Sequence, residues 1–368
     1  MAQKGRTDRY GSNAIMTYSA HGHGPYLIAA GVGREIGPVI INHFPRYGNV
    51  QLEILKKRYG KDPNIFMDRG SGEILSQIDF FGDYRDFIRR NNRYGERVRK
   101  ELADHLRSFE AVSLAGEKRL FKSPKLSISA GARFVPFPEK TCYVYPALMS
   151  TIAKYSPFEI DGIDKFVEAL EVEESCYERI FIPEINPFSY TSIKRLKREI
   201  SVPPLSHMLE NYENIPKSIY YNISGATDRQ NEEIIRAVKK TDLQIYKATE
   251  AIGPGIPAHP SIVFNKNCIA QLARAGWGTL WMGQLAEKPI IAPPFKENDD
   301  PEIYYNIKTV EKFGLGVIFD KLTAKIIADA LTKVDRIKRL NRKLLKKFGT
   351  LDGLSYVANQ IRERENVW

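Results

Sequence analysis

The stretch ARAGWGTLWMGQLAEKPIIAP, Ala273 to Pro293, contains the pattern that decides the fold. A Gly-x-Gly-Thr turn from Gly276 to Thr279 opens a helical pattern, which ends before Lys288-Pro289 and a short apolar run. Glycine lets the backbone approach a ligand closely, and the first helical turn leaves N–H groups without intrahelical partners. Because helix N-termini bind anions, this turn predicts a diphosphate site.

Strand and helix patterns alternate on both sides of this stretch. Ser218–Ser224 predicts a strand, Asn231–Lys240 a helix and Ile269–Ala275 a further helix. The first half begins in the same way, with a strand at Ala14–Ala20 and a helix started by Pro25. This alternation predicts an α/β fold with two doubly wound, Rossmann-like domains that face a cleft.

A proline-rich stretch, Ser201 to His207, predicts the boundary between these domains. We expect an N-terminal Rossmann-like domain over residues 1–205 and a C-terminal Rossmann-like domain over residues 206–345. Residues 346–368 predict a C-terminal helix that packs back on the first domain.

The composition of the 368-residue chain is that of a globular protein, with 43% hydrophobic residues and no apolar run near the length of a membrane span. Its three cysteines are far apart, which predicts no disulfide framework and indicates a reducing cytoplasm. The net charge of +11 favours an anionic partner.

A basic segment, residues 333–347, carries eight lysines and arginines against one acid. A basic amphipathic helix can lie on an anionic membrane surface, so we expect a cytoplasmic protein that can bind the inner face of the membrane. A solvated charged face is the alternative, and no motif supports nucleic-acid binding.

The C-terminal motifs resemble the donor-binding region of GT-B glycosyltransferases, in the branch of the lipid II GlcNAc transferase and the UDP-glycosyltransferases. The family pattern reads Arg-x-Gly-x-x-Thr/Ser, a helix, Gly-x-Pro, a strand ending in Pro, then Asp-Gln-x-x-Asn before Gly-x-Gly. The matching positions are Arg274, Gly276, Thr279, Pro289, Pro293, Asn306, Gly314 and Gly316.

The resemblance implies a nucleotide-sugar donor, such as a UDP-sugar, as co-substrate. The loop after the strand at Ser218 resembles the family's Gly/Ser loop, and the segment SIVFNKNCIAQLARAG, residues 261–276, resembles the one whose backbone contacts the base. The implied donor-binding residues are Ser224, Gly225, Ala226, Thr227, Val263, Phe264, Gly276, Trp277, Gly278, Thr279, Glu302 and Asn306.

Two positions depart from the family pattern. The glutamate that binds the ribose hydroxyls is replaced by Met282, and the Asp-Gln pair by Glu302-Ile303. Glu302 retains a carboxylate for sugar hydroxyls, whereas Ile303 has no polar group. The base and the sugar of the donor therefore stay open.

The N-terminal Gly22-His23-Gly24-Pro25 resembles the family's Gly-His-x-x-Pro motif, with the proline one residue early. The resemblance implies that His23 is the general base for the acceptor hydroxyl, with His21 as second choice. Imidazole suits this role because its pKa lies near the working pH. A structural histidine that caps the helix or bonds the backbone is the alternative.

Two pairs of glycines have different predicted roles. Gly22 and Gly24 allow backbone and substrate to approach at the end of a strand, whereas Gly31 and Gly33 allow the helix to pack closely on the sheet. A dinucleotide fingerprint is not predicted here.

We expect a glycosyltransferase that moves a sugar to a hydroxyl of a lipid-linked or small-molecule acceptor. No Asp-x-Asp motif lies in a suitable loop, so inversion without a metal or cofactor is expected, with helix N-termini stabilising the leaving diphosphate. The alternatives are a nucleotide-sugar 2-epimerase of the same fold and a non-catalytic binder of nucleotide sugars or polyanions.

Overall fold

The computed structural model describes residues 14–19, 22–193, 196–223, 228–248, 253–297 and 299–365. The strands within these ranges are β1 (Ile15–Ser19), β2 (Val39–Asn42), β3 (Ile65–Asp68), β4 (Phe109–Ser113), β5 (Lys118–Phe121), β6 (Leu126–Ala130), β7 (Thr141–Val144), β8 (Arg179–Pro183), β9 (Glu199–Val202), β10 (Ser218–Asn222), β11 (Gln244–Ala248), β12 (Ile256–Ala258), β13 (Cys268–Ala273), β14 (Ile290–Ala292) and β15 (Gly316–Ile318).

The α-helices alternate with these strands along most of the chain. They are α1 (His23–Ile36), α2 (Val50–Tyr59), α3 (Arg69–Ser76), α4 (Tyr84–His105), α5 (Met149–Lys154), α6 (Ile163–Cys176), α7 (Asp228–Val238), α8 (Trp277–Leu285), α9 (Pro301–Phe313), α10 (Ala324–Leu331), α11 (Val334–Phe348) and α12 (Gly353–Glu365).

The chain divides into two compact units. Unit 1 takes the chain up to Ile182, residues 196–200 and the chain from Val357 onward, and unit 2 takes residues 183–195 and 201–356. The sequence places domain limits at 205 and 345, whereas the observed changes of unit fall between 182 and 201 and after Tyr356. Residues 346–356 thus belong to unit 2.

Unit 1 is built on a nine-stranded sheet in the order β5-β4-β3-β2-β1-β6-β7-β8-β9. Six neighbouring strands pair in parallel, in the spatial order β3, β2, β1, β6, β7 and β8. Strands β4 and β5 form an antiparallel hairpin at one edge, next to β3. The six parallel strands have the 3-2-1-4-5-6 order of a doubly wound nucleotide-binding fold.

Unit 2 has a six-stranded parallel sheet in the order β12-β11-β10-β13-β14-β15, which is again 3-2-1-4-5-6. The predicted α/β class with doubly wound sheets is therefore confirmed. The helix predicted over Ile269–Ala275 is wrong, because Cys268–Ala273 is strand β13 between β10 and β14. A short apolar run cannot be assigned to helix or strand by periodicity alone.

Helix α1 lies very close to the sheet of unit 1. A Cβ atom on Gly33 would come within 2.5 Å of Val39 Cγ2 and 3.3 Å of Thr17 Cγ2. The prediction that Gly33 allows close helix–sheet packing is confirmed.

Helix α11 carries the basic segment of the sequence. It buries Ile337, Asn341 and Leu344, and Asn341 Nδ2 donates a hydrogen bond of 2.7 Å to the carbonyl oxygen of Gln284 on α8. Its lysines and arginines lie mainly on the exposed face. None of the helices in the described ranges has the length and apolar character needed to cross a bilayer.

Candidate active site

Each sheet has a point where the chain leaves two neighbouring central strands in opposite directions. In unit 1 this point lies between β1 and β6, and in unit 2 between β10 and β13. Open α/β sheets bind ligands outside the carboxyl ends of such strands. The predicted His23 loop follows β1, and the predicted Gly276 turn follows β13.

Five predicted site residues lie outside the described part of the chain. They are His21, Ser224, Gly225, Ala226 and Thr227. Their proposed roles in catalysis and donor binding stay predictions.

The turn after β13 forms an open helix N-terminus. Gly276 is the N-cap of α8, with no side-chain hydrogen bond to the cap and no acidic residue in the first turn. A Cβ atom at Gly276 would meet nothing within 4 Å, and its φ of −83° is accessible to any residue. Gly278 is exposed and Thr279 half-buried. The N–H groups of this turn are therefore placed to bind an anion.

Three of the predicted donor residues have side chains that belong to the interior of unit 2. Trp277 is buried with its ring centroid 5.2 Å from that of Trp281. Val263 belongs to an apolar cluster with Tyr220 and Cys268, and the half-buried Phe264 packs against that cluster. Any donor contact from these residues must come mainly from their backbone.

Asn306 on α9 holds the chain just before the Gly276 turn. Its Nδ2 atom donates hydrogen bonds of 2.8 Å to the carbonyl of Ala275 and 3.2 Å to Glu302 Oε1, and its side chain is fully buried. The Asp300 carboxylate caps the same helix by accepting from the N–H of Glu302 at 2.9 Å. Asn306 therefore acts as a positioning residue for the turn.

Met282, which stands where the family has a ribose-binding glutamate, packs against the same apolar cluster as Phe264. Glu302 is buried, and its carboxylate accepts the hydrogen bond from Asn306. Unit 2 therefore places a thioether against its core at one predicted carboxylate position and a hydrogen-bonded carboxylate at the other.

His23 is the first residue of α1, and Tyr47 contacts both His23 and the residue before it, Gly22. The N–H of Gly22 donates a hydrogen bond of 2.8 Å to Tyr47 Oη, and the His23 and Tyr47 rings lie 5.3 Å apart. Gly22 has a φ of +91°, which favours glycine. Neither Gly22 nor Gly24 has an atom within 4 Å of a hypothetical Cβ, so space is open beside His23.

Sequence reasoning missed a row of polar residues at the ends of strands β1 to β3. Asn42 Oδ1 accepts a hydrogen bond of 3.1 Å from the N–H of Ser19, and Asp68 lies 2.9 Å from His105 Nε2. Ser19, Asn42 and Asp68 are all buried. The available signal is that each of them directly follows a short, largely apolar run in the sequence: IMTY before Ser19, VII before Asn42 and IFM before Asp68.

Two charged residues of unit 1, Asp79 and Arg133, were also missed. Both are buried, and Arg133 follows β6 on the other side of the same switch point as His23. The signal is an arginine two residues after the strand and glycine of Leu126–Gly131. Among the described residues, no group of three or more histidines, cysteines or acids is arranged to hold a metal ion.

No protein-family model matches the chain, and no curated protein sequence matches it. Solved structures do match. Arabidopsis thaliana UGT89C1, complexed with UDP-L-rhamnose, superposes with a TM-score of 0.61 at 14% identity over 97% of this chain and 100% of its own.

Two further glycosyltransferase structures give similar results. The calicheamicin glycosyltransferase CalG4 has a TM-score of 0.61 at 13% identity, covering 96% of this chain and 99% of its own. SnogD from Streptomyces nogalater, a glycosyltransferase, has a TM-score of 0.59 at 11% identity, covering 96% and 99%. The fold is therefore that of GT-B glycosyltransferases, and the predicted resemblance in fold is confirmed.

Proposed function

We propose that the protein is a glycosyltransferase that binds a nucleotide diphospho-sugar in unit 2 and an acceptor in unit 1. The open N-terminus of α8 at Gly276, at the switch point of the second sheet, carries this proposal. The matched structures support it, because UGT89C1 is complexed with UDP-L-rhamnose in one of them and with quercetin in another.

The proposed reaction is a direct displacement at the anomeric carbon. The bond from this carbon to the diphosphate oxygen breaks, a bond to the acceptor oxygen forms with inversion, and His23 takes the hydroxyl proton. The N-terminus of α8 stabilises the negative charge of the departing diphosphate without a metal ion. Glu302 and the loop at residues 224–227 complete the proposed donor site.

The acceptor is proposed to be a lipid-linked or small molecule with a hydroxyl group. A cytoplasmic protein that binds an anionic membrane surface through the exposed lysines and arginines of α11 fits a lipid-linked acceptor. We do not expect the protein to bind nucleic acid. We also expect no cofactor, with the nucleotide sugar acting as co-substrate.

Gly276→Asp tests the donor site. A carboxylate at this N-cap would occupy the free N–H groups and repel a diphosphate, while the free energy of unfolding rises by about a few tenths of a kcal/mol. We expect UDP affinity, measured by calorimetry on the full chain, to fall about ten- to hundredfold, since hydrogen bonds to charged groups contribute ~1.5–3 kcal/mol.

The matched control is Lys333→Asp, which adds a carboxylate at another uncapped helix start of unit 2, that of α11. This variant should bind UDP like the wild type. Equal UDP affinity in the wild type and Gly276→Asp would remove the α8 N-terminus from the donor site.

His23→Ala tests the general base. We expect kcat for sugar transfer to fall about 10²–10⁴-fold with donor affinity unchanged, as is typical for loss of a general base. A panel of UDP-, GDP- and dTDP-sugars, analysed for transfer, hydrolysis and epimerisation, separates the transferase from the epimerase and the non-catalytic binder. Wild-type turnover in His23→Ala would exclude His23 as the base.

A further inference from the structure

Arg133 is an arginine buried in unit 1 whose Nε donor is not satisfied by any described residue. Its residue is 6% exposed, and its Nε atom has no hydrogen-bond partner in the described part of the chain. The guanidinium carbon lies 4.1 Å from the centroid of the Phe87 ring. A cation–π contact orients the planar group, but it satisfies none of its N–H donors.

The loop that carries Arg133 is held in an unusual backbone conformation. Gly131 has a φ of +74°, and Phe134 has a φ of +55°, which is rare for a residue with a side chain. Gly131 forms a bridge with Ser19 at the end of β1, and the Phe134 ring lies so close to Gly95 that a Cβ there would approach within 2.4 Å. Such a conformation persists only where the surroundings impose it, so Arg133 is pre-oriented.

The charges around Arg133 do not neutralise it fully. Asp79 is 7% exposed, and its Oδ2 atom lies 4.0 Å from the guanidinium of Arg46. Burial raises the pKa of the Asp79 carboxyl, against the opposing fields of Arg133, Arg46 and Arg90. Arg90 also donates to the Asp79 carbonyl and pairs with Asp86 at 2.9 Å. Arg46 and Arg133 therefore both act on the charge of Asp79, although, among the described residues, the structure shows no ion pair between Arg133 and Asp79.

Arg133 and the proposed catalytic His23 follow two neighbouring strands, β6 and β1, that form the switch point of the sheet. The Tyr47 ring lies 5.3 Å from the His23 ring and is close enough to Asp79 and Arg46 for both to affect its pKa, which burial raises. The carboxyl ends of these strands therefore bring a histidine and positively charged residues to the same edge of the sheet of unit 1.

An ion pair between Arg133 and Asp79 would be the simpler explanation for the burial of Arg133, but the structure does not show one within the described ranges. The two side chains form no ion pair within 4 Å among the described contacts, and Asp79 Oδ2 lacks a hydrogen-bond partner there. A buried charge without hydrogen bonds is costly, whereas the fork of an arginine pairs bidentately with a phosphate or carboxylate. A bound anion would complete the coordination that Asp79 leaves open.

We propose that the acceptor carries an anionic group, a phosphate or carboxylate, which Arg133 binds next to the hydroxyl that receives the sugar. This inference rests on the proposed glycosyltransferase function, and it narrows the acceptor to an anionic class.

Binding by the full chain without donor tests this proposal independently of catalysis. The probes are decyl phosphate, inorganic phosphate and decanol, measured by calorimetry. We expect the wild type to bind decyl phosphate at least about tenfold more tightly than decanol, which corresponds to ~1.4 kcal/mol. Tight binding of inorganic phosphate would indicate a small phosphorylated acceptor. A clearly higher affinity for decyl phosphate than for inorganic phosphate would indicate a lipid-like acceptor.

Arg133→Gln should lower the affinity for decyl phosphate about ten- to hundredfold and leave decanol binding unchanged. Arg107→Gln, an exposed arginine of the same unit, is the matched control and should bind like the wild type. The UDP affinity of unit 2 should not change in either variant.

Two results would overturn the proposal. One is a wild type that binds decanol as tightly as decyl phosphate, and this result does not depend on any variant being folded. The other is a folded Arg133→Gln that retains the wild-type affinity for decyl phosphate. Arg133→Lys keeps the charge and provides a second folded comparison. A wild-type protein that neither binds UDP nor transfers sugar would instead contradict the proposed function.

Discussion

Gly22 and Gly24 flank His23 in the sequence, yet the backbone uses them differently. Gly22 has φ +91° and ψ 173°, a region almost restricted to glycine, whereas Gly24 lies in the first turn of α1. Neither position lacks space for a Cβ atom. The difference between them therefore lies in the backbone conformation and not in packing.

Gly22→Ala should lower the free energy of unfolding by about 1–3 kcal/mol, because it forces a side chain into this strained conformation. Gly24→Ala should leave it unchanged or raise it by up to about 1 kcal/mol through helix propensity. Urea denaturation of the two variants measures the difference. Equal stabilities would show that Gly22 does not need its positive φ.

The residue scale also shows where sequence reasoning is sufficient. The Gly276 turn and Asn306 were predicted because they form a local pattern, and local patterns are visible in a sequence. Trp277 and Val263 were included with them, but their side chains pack inward, since burial depends on the whole unit. Arg133 was missed because its significance arises from Phe87 and Asp79, which are distant in sequence.

At the scale of elements, the contact between α1 and β2 depends on one missing side chain. A Cβ at Gly33 would overlap Val39, whereas at an open helical position alanine is favoured by about 1 kcal/mol. Gly33→Ala should therefore destabilise the protein by about 1–3 kcal/mol through overpacking. Denaturation followed by circular dichroism measures this loss.

The double variant Gly33→Ala/Val39→Ala should recover part of the loss, because the shortened side chain on β2 removes the overlap. A favourable coupling energy of about 0.5–3 kcal/mol is expected for residues in direct contact. Strict additivity of the two single changes would contradict this packing argument.

The elements themselves were mostly predictable, with one informative failure. The helix started by Pro25 and the helix over Asn231–Lys240 correspond to α1 and α7, which begin two and three residues earlier than predicted. Strand β13 was predicted as a helix because its six residues, CIAQLA, carry no decisive periodicity. Its position between β10 and β14 decides its conformation, and that position is a property of the sheet.

At the scale of the molecule, stability should depend on a carboxyl buried in unit 1. Burial raises the pKa of Glu174 from 4.5 to about 8, although Ser150 donates hydrogen bonds to both carboxylate oxygens. The folded protein therefore retains a proton that the unfolded chain releases above pH 4.5. The contribution of Glu174 to the free energy of unfolding is fully present below pH 4.5 and falls as the pH rises towards 8, by at most about 1.4 kcal/mol per pH unit.

Glu174→Gln should flatten this pH dependence, because the amide stays neutral and can still hydrogen bond with Ser150. Glu171→Gln, an exposed change on the same helix, should leave the slope as it is. Free energies of unfolding between pH 5 and pH 8.5 compare the three proteins. An unaltered slope in Glu174→Gln would show that Glu174 does not titrate in this range.

The assignment of most of α12 to unit 1 has a consequence for biosynthesis. The helix from Val357 onward belongs to the unit that the chain up to Ile182 builds, and the Arg179 guanidinium donates a hydrogen bond of 2.6 Å to the carbonyl of Gln360. Domains generally fold in order as they leave the ribosome. Unit 1 therefore lacks the segment from Val357 until unit 2 has been translated. Until then, the apolar surface of unit 1 that this segment covers stays exposed and can bind a chaperone.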